Sequence, residues 1–157
     1  MNKTLVAYFS ASGVTGSVAR ALSDALNADL HEIVPAVRYT DADLDWRNAN
    51  SRSSVEMKDK TSRPEMIEDH VNIADYDTIL VGFPIWWYVA PTIVNTFLEK
   101  HDFTDKKIIL FATSGGSDFG KTMDSLKNSV PGAVIEEGML QRGKQYLDTW
   151  KNWAKCL

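Results

Sequence analysis

Short runs of aliphatic, β-branched and aromatic residues alternate along this chain with segments of helical period, and that alternation restricts the fold more than any other feature. The runs are 4–9 (Thr-Leu-Val-Ala-Tyr-Phe), 79–83 (Ile-Leu-Val-Gly-Phe), 108–112 (Ile-Ile-Leu-Phe-Ala) and, more weakly, 133–135. Each is bounded by Gly, Pro or polar residues, the pattern of a strand buried on both faces. Residues 30–34, Leu-His-Glu-Ile-Val, alternate in polarity and predict a fifth strand at an edge. Between these runs, Val14, Val18, Ala21, Leu22, Ala25 and Leu26 recur at spacings of three and four, drawing one apolar stripe along a helix over 14–28. Further helices are predicted over 91–101, opening at Pro91, and over 119–129 and 143–155. Alternating strands and helices build βαβ units, whose right-handed crossovers put helices on both faces of a parallel sheet. The expectation is a three-layer α/β sandwich with five parallel strands, in one domain spanning 1–157.

Composition narrows the partners. With 17 Lys+Arg against 21 Asp+Glu the net charge is −4, and no dense basic cluster supplies a field for phosphates, so a nucleic-acid partner is excluded. The run at 4–9 falls far short of the ~20 apolar residues of a membrane span, and it lacks a signal peptide's basic flank and cleavage site. No membrane partner and a cytoplasmic location are expected. The lone Cys156 fits a reducing compartment and reads as a minor packing residue. His31, His70 and His101 are scattered and read as structural or exposed. The polar, charged stretch 38–70 reads as a solvated helix followed by a loop, with a partner-docking surface as the other reading.

In a doubly wound sheet, ligands bind beyond the carboxyl ends of the strands. Ser10-Ala11-Ser12-Gly13-Val14-Thr15-Gly16-Ser17 follows the first run and leads into a helix, offering hydroxyls and free N–H groups suited to an anion. The same residues also suit an ordinary helix cap. Pro84-Ile85-Trp86-Trp87-Tyr88 follows the third strand. Consecutive side chains on extended backbone point to opposite sides, so three large aromatics cannot all enter one core. At least one faces outward, either to stack on a planar ring or to form an apolar corner or dimer patch. Thr113-Ser114-Gly115-Gly116-Ser117 follows the fourth strand, and its glycines allow close backbone approach to a ring edge. Gly115 to Thr122 also fits the phosphate-binding pattern of P-loop nucleotide hydrolases. No other strand ends in the aspartate such a site needs for magnesium, so that reading is a minor one.

Together, Ser10-x-Ser12-Gly13-x-Thr15-Gly16, Phe83-Pro84-Ile85-Trp86-Trp87 and Thr113-Ser114-Gly115-Gly116-Ser117 resemble the flavodoxins, in particular a short branch with a Pro-Ile-Trp-Trp loop. The likeness extends over essentially the whole chain. It implies the strand order 2-1-3-4-5 and noncovalent FMN. Its phosphate would lie on Ser10, Ala11, Ser12, Gly13, Val14, Thr15 and Gly16. Its ring would lie between Pro84, Ile85, Trp86, Trp87 and Tyr88 on one side and Thr113, Ser114, Gly115, Gly116 and Ser117 on the other, with Trp86 or Trp87 stacked on it. No side chain need act as acid or base, because the flavin is the redox agent.

Two activities follow. One is a low-potential electron carrier that meets redox partner proteins. The other is an FMN-dependent NAD(P)H oxidoreductase reducing a quinone or another small planar acceptor. The carrier is favoured because no Arg/Lys-rich pocket for a nicotinamide phosphate is visible and no His falls in the three loops. Two departures favour the enzyme: the modest charge of −4, and a third loop without an aromatic before Phe119, which leaves one ring face open.

Overall fold

The computed structural model describes residues 3–157. Strand β1 (Thr4–Tyr8) alternates Leu5 and Ala7 toward one face and Val6 and Tyr8 toward the other, and all four are buried. Helix α1 (Val14–Leu26) lays Val18, Ala19 and Leu22 on the second face, so the middle of the stripe read from the sequence is buried, while Val14 and Ala25 are exposed and Leu26 is half-buried. Strands β2 (Asp29–Glu32), β3 (Thr78–Pro84), β4 (Lys107–Ser114) and β5 (Val134–Arg142) complete one sheet. Its order is β2-β1-β3-β4-β5, and every pairing is parallel. Helix α5 (Leu147–Ala154) joins α1, burying Trp150 against Phe111. Helices α3 (Thr92–Lys100) and α4 (Thr122–Leu126) cover the opposite face through Ile93, Val94, Phe97, Leu98 and Leu126. The result is the expected flavodoxin-like three-layer sandwich.

Packing requires a glycine at position 82. Gly82 lies in the middle of β3, and a Cβ there would stand 2.0 Å from Cζ of the buried Phe111 ring. The ring therefore occupies the volume a side chain would take.

Several boundaries differ from expectation. The strand expected over 133–135 runs to Arg142, because Glu136-Glu137-Gly138 ends the apolar run without ending the ladder. An edge strand needs only one paired side, and β5 is largely half-exposed or exposed. Gly138 sits at a register shift between Leu110 and Ala112. The helix expected over 119–129 shrinks to α4 plus a 3-10 turn over Lys127–Ser129, since Gly120 has φ 54 and cannot continue a helix. The charged stretch 38–70 is mainly turns around one short helix, α2 (Arg52–Lys58), and it buries Ser51, Ser53 and Ser54. Its docking onto the body explains why it is not simply a wet face. Arg52 lies 3.8 Å over the Tyr39 ring and bonds Glu56 at 3.1 Å, while the Tyr39 hydroxyl also donates to Glu56. Burial and that carboxylate push the Tyr39 phenol well above its usual range, so it stays a neutral donor. Cys156 is exposed at the chain end rather than packed. His31 and His101, far apart in sequence, meet at Asp69, with His101 Nε2 3.1 Å from the carboxylate and His31 Nε2 3.8 Å away.

Candidate functional site

The loops after β1, β3 and β4 meet at the carboxyl edge of the sheet because those three strands are adjacent. Two bonds tie them. The hydroxyls of Thr15 and Thr113 lie 2.8 Å apart, both buried, and Ile85 N donates to Thr113 O at 2.9 Å.

In the first loop, Gly13 is the N-cap of α1, with φ 92, and supplies no capping side chain. The cap comes from Ser10 instead, whose Oγ accepts from Gly13 N and from Gly16 N in the first turn of α1, each at 3.1 Å, so the helix-cap reading holds for Ser10. A hydroxyl that accepts twice still carries a proton to donate. Ser12, Gly13 and Val14 are exposed, Ser10 and Ala11 half-buried, and Thr15 and Gly16 buried. The arrangement is a small turn at the positive end of a 13-residue helix, lined with hydroxyls.

The second loop separates the two tryptophans that sequence could not rank. Trp86 turns inward, edge-on to Phe9 and Tyr39 at centroid distances of 5.7 and 5.5 Å. Trp87 and Tyr88 are 45% and 62% exposed. Trp86 and Val89 exchange backbone bonds of 2.9 and 3.1 Å, making a two-residue hairpin turn with φ of 48 and 66 at Trp87 and Tyr88. Such turns ordinarily use Asn or Gly, and left-handed backbone costs a bulky residue about 1–2 kcal/mol. The turn is held from behind. Lys121 N donates to Tyr88 O at 2.9 Å, and a Cβ at Gly120 would lie 2.5 Å from that oxygen. Backbone strain retained by supporting contacts is a mark of functional sites.

In the third loop, Ser114 Oγ accepts from Gly116 N and lies 3.1 Å from Ser117 Oγ. Gly115 and Gly116 are exposed, with open space where side chains would be. Phe119 is buried in the core and presents no ring to this edge. The P-loop pattern fails on geometry: the Thr122 hydroxyl is fully buried and donates to Phe119 O, and the helix it opens has only five residues.

Beside the hairpin lies a cleft with a cavity volume of about 770 Å³, within the range of roughly 300–1,000 Å³ usual for small-molecule sites. Its walls come from α3 and α4, its roof from Trp87 and Tyr88, and its rim carries Lys60, Arg63 and Lys121. No Arg/Lys-rich pocket was visible in the sequence because Lys60 and Arg63 come from one segment and Lys121 from another, distant one. Thr92 and Asn95, which line the same cleft, carried no sequence signal either, since hydroxyl and amide residues on an apolar helix are ordinary.

A family model described as Flavodoxin matches residues 3–157. The chain belongs to the flavodoxin family. It is similar to the crystal structure of "a Putative flavoprotein" from Bacteroides uniformis ATCC 8492, at 47% identity, 98% coverage of both chains and a TM-score of 0.91. A flavoprotein in complex with FMN from Lactobacillus acidophilus NCFM shares the fold at 22% identity, with 96% of this chain and 99% of that one covered and a TM-score of 0.69. Among curated proteins it is 29% identical over 70 residues to the "Uncharacterized NAD(P)H oxidoreductase YcaK" of Escherichia coli (strain K12). That match covers 41% of this chain and 36% of the relative, so the similarity spans about a third of that protein's length.

Proposed function

We propose that this family member binds FMN noncovalently at the three loops and works as a low-potential electron carrier between redox partner proteins in the cytoplasm. The observation that carries the reading is the convergence of a hydroxyl-lined helix N-terminus, an exposed aromatic hairpin and an open glycine turn on one edge of the sheet, tied by the Thr15–Thr113 bond. The donor set fits the cofactor. Ser10, Ser12 and Thr15, with the N–H groups of Val14 and Thr15 that the Ser10 hydroxyl leaves free, would hold a phosphate without any Lys or Arg. Gly115 and Gly116 leave room for a ring edge against bare backbone. Trp87 and Tyr88 are the exposed aromatic faces, whereas Trp86 serves as their half-buried anchor. FMN, when bound, supplies the electron-transfer chemistry, and the chain's residues bind it, orient it and limit water around it. The Pro84-Ile85-Trp86-Trp87 hairpin is proposed as the mark of a short branch within the family.

A second reading, an FMN-dependent NAD(P)H oxidoreductase acting on a quinone-like acceptor, is favoured by the cation-rimmed cleft against Trp87 and Tyr88. The partial likeness to YcaK supports it as well. Purified protein titrated with FMN tests the shared premise: saturable quenching of flavin fluorescence supports it, and none refutes it. Anaerobic mixing of the FMN form with NADH and NADPH separates the two activities. Rapid bleaching of the flavin absorption removes the carrier, and no bleaching removes the nicotinamide-driven enzyme.

A further inference from the structure

The cleft between α3 and α4 has features that FMN binding does not use. It borders the hairpin, yet no residue of the 10–17 or 113–117 loops lines it. Thr92 opens α3 and lines the cleft, and its buried hydroxyl has no hydrogen-bond partner among the described residues. A buried hydroxyl left unpaired costs free energy, so its retention at a cavity wall points to a ligand atom that completes it. The nine-residue helix α3 also directs its positive end to this place.

Charge around the cleft is one-sided once internal pairs are removed. Glu99 is held by Arg63 at 2.9 Å and accepts from Ser129 at 2.7 Å, and Asp124 is paired with Lys127 at 3.4 Å. Lys60 and Lys121 carry no ion pair among the described residues. The acids are therefore neutralised locally while two ammonium groups remain free. The roof is aromatic, from Trp87 and Tyr88, and Val89 and Ala90 continue it as an apolar wall. A flat apolar body with one negative end matches the whole set: rings against the hairpin, and an anionic oxygen toward Thr92, the α3 N-terminus and the rim lysines.

We propose that this cleft is a binding site for a small planar aromatic acid, distinct from the FMN loops and sharing with them only Trp87 and Tyr88. The site adjoins the hairpin at which flavin stacking is proposed, so an occupant would lie against the same turn. Its existence does not rest on FMN being bound.

The test is calorimetric titration of the protein, both flavin-free and FMN-loaded, with 2-naphthoate and its uncharged analogue 2-naphthamide. Saturable binding of the acid, about tenfold tighter than the amide, is expected. Thr92→Val should weaken 2-naphthoate by about three- to tenfold, and it should leave the melting temperature of the unliganded protein unchanged or higher, because it removes an unpaired hydroxyl. Lys121→Gln should bring the two affinities closer together. The proposal is overturned by absence of saturable heat, by equal binding of acid and amide, or by an unchanged affinity in Thr92→Val. A lower melting temperature in that variant would also overturn it, since the hydroxyl would then be serving the fold. Failure of FMN to bind would leave this titration intact, so the two readings fail separately.

Discussion

The Thr15–Thr113 bond joins the first and third loops, and its removal tests whether that tie holds the site together. The hydroxyls are 2.8 Å apart, with Thr15 2% and Thr113 4% exposed, so water cannot replace a lost partner. Thr113→Val leaves the Thr15 hydroxyl buried and unpaired, which costs about 1–3 kcal/mol. In a domain of this length each kcal/mol lowers the melting temperature by roughly 2–4 °C, so a mid-range cost shifts it by about 4–8 °C. Thr15→Val should behave alike. The double variant replaces both hydroxyls by methyl groups of similar shape and should be nearly neutral, so the coupling in the double-mutant cycle approaches the sum of the two single costs, about 2–6 kcal/mol. Urea unfolding followed by tryptophan fluorescence reads all four proteins. FMN titration of the same set should show weaker binding in each single variant, with the double still impaired because Thr15 is also a proposed phosphate donor. Additivity within about 0.5 kcal/mol would refute the reasoning, since it would mean the two hydroxyls do not depend on each other.

Three further perturbations follow from the packing. Gly82→Ala should destabilise the protein by about 1–3 kcal/mol through the clash with Phe111, and Phe111→Leu should recover part of that loss; denaturant midpoints check it. Trp86→Ala removes the ring shared by Phe9 and Tyr39 and should cost about 2–4 kcal/mol, whereas Trp87→Ala should cost less stability and more FMN affinity, as paired unfolding and flavin titrations would show. Burial lowers the His31 pKa below its ordinary value, ahead of opposing contributions from Asp69 and Glu32 and a reinforcing one from His101. On acidification below that ordinary value the unfolded chain takes up a proton that the folded chain resists, so this group's contribution to stability falls as pH drops through the window beneath about 6.5. Unfolding midpoints measured across that window should flatten in His31→Phe, which keeps a ring against Phe97.

The sequence determined the layers, the buried strands and the three loops, because hydrophobic period is a local property and the interior strands β1, β3 and β4 are covered on both sides. It also determined the edge nature of β2, whose alternation was visible in Leu-His-Glu-Ile-Val. It lost most of β5, since an edge strand tolerates Glu136, Glu137 and Gly138 where a central one would not. Three things were decided only in the folded chain. Trp86 and Trp87 are chemically equal in sequence, and the choice between anchor and exposed face came from a two-residue turn pinned by Gly120 and Lys121, more than thirty positions away. The meeting of His31 and His101 at Asp69 depends on where β2 and the end of α3 lie in space. The cation-rimmed cleft brings Lys121 together with Lys60 and Arg63 from a distant segment. Local pattern fixes what each segment becomes, because burial imposes a period on neighbouring residues. Convergence of distant side chains leaves no period to read, and only tertiary packing brings it about.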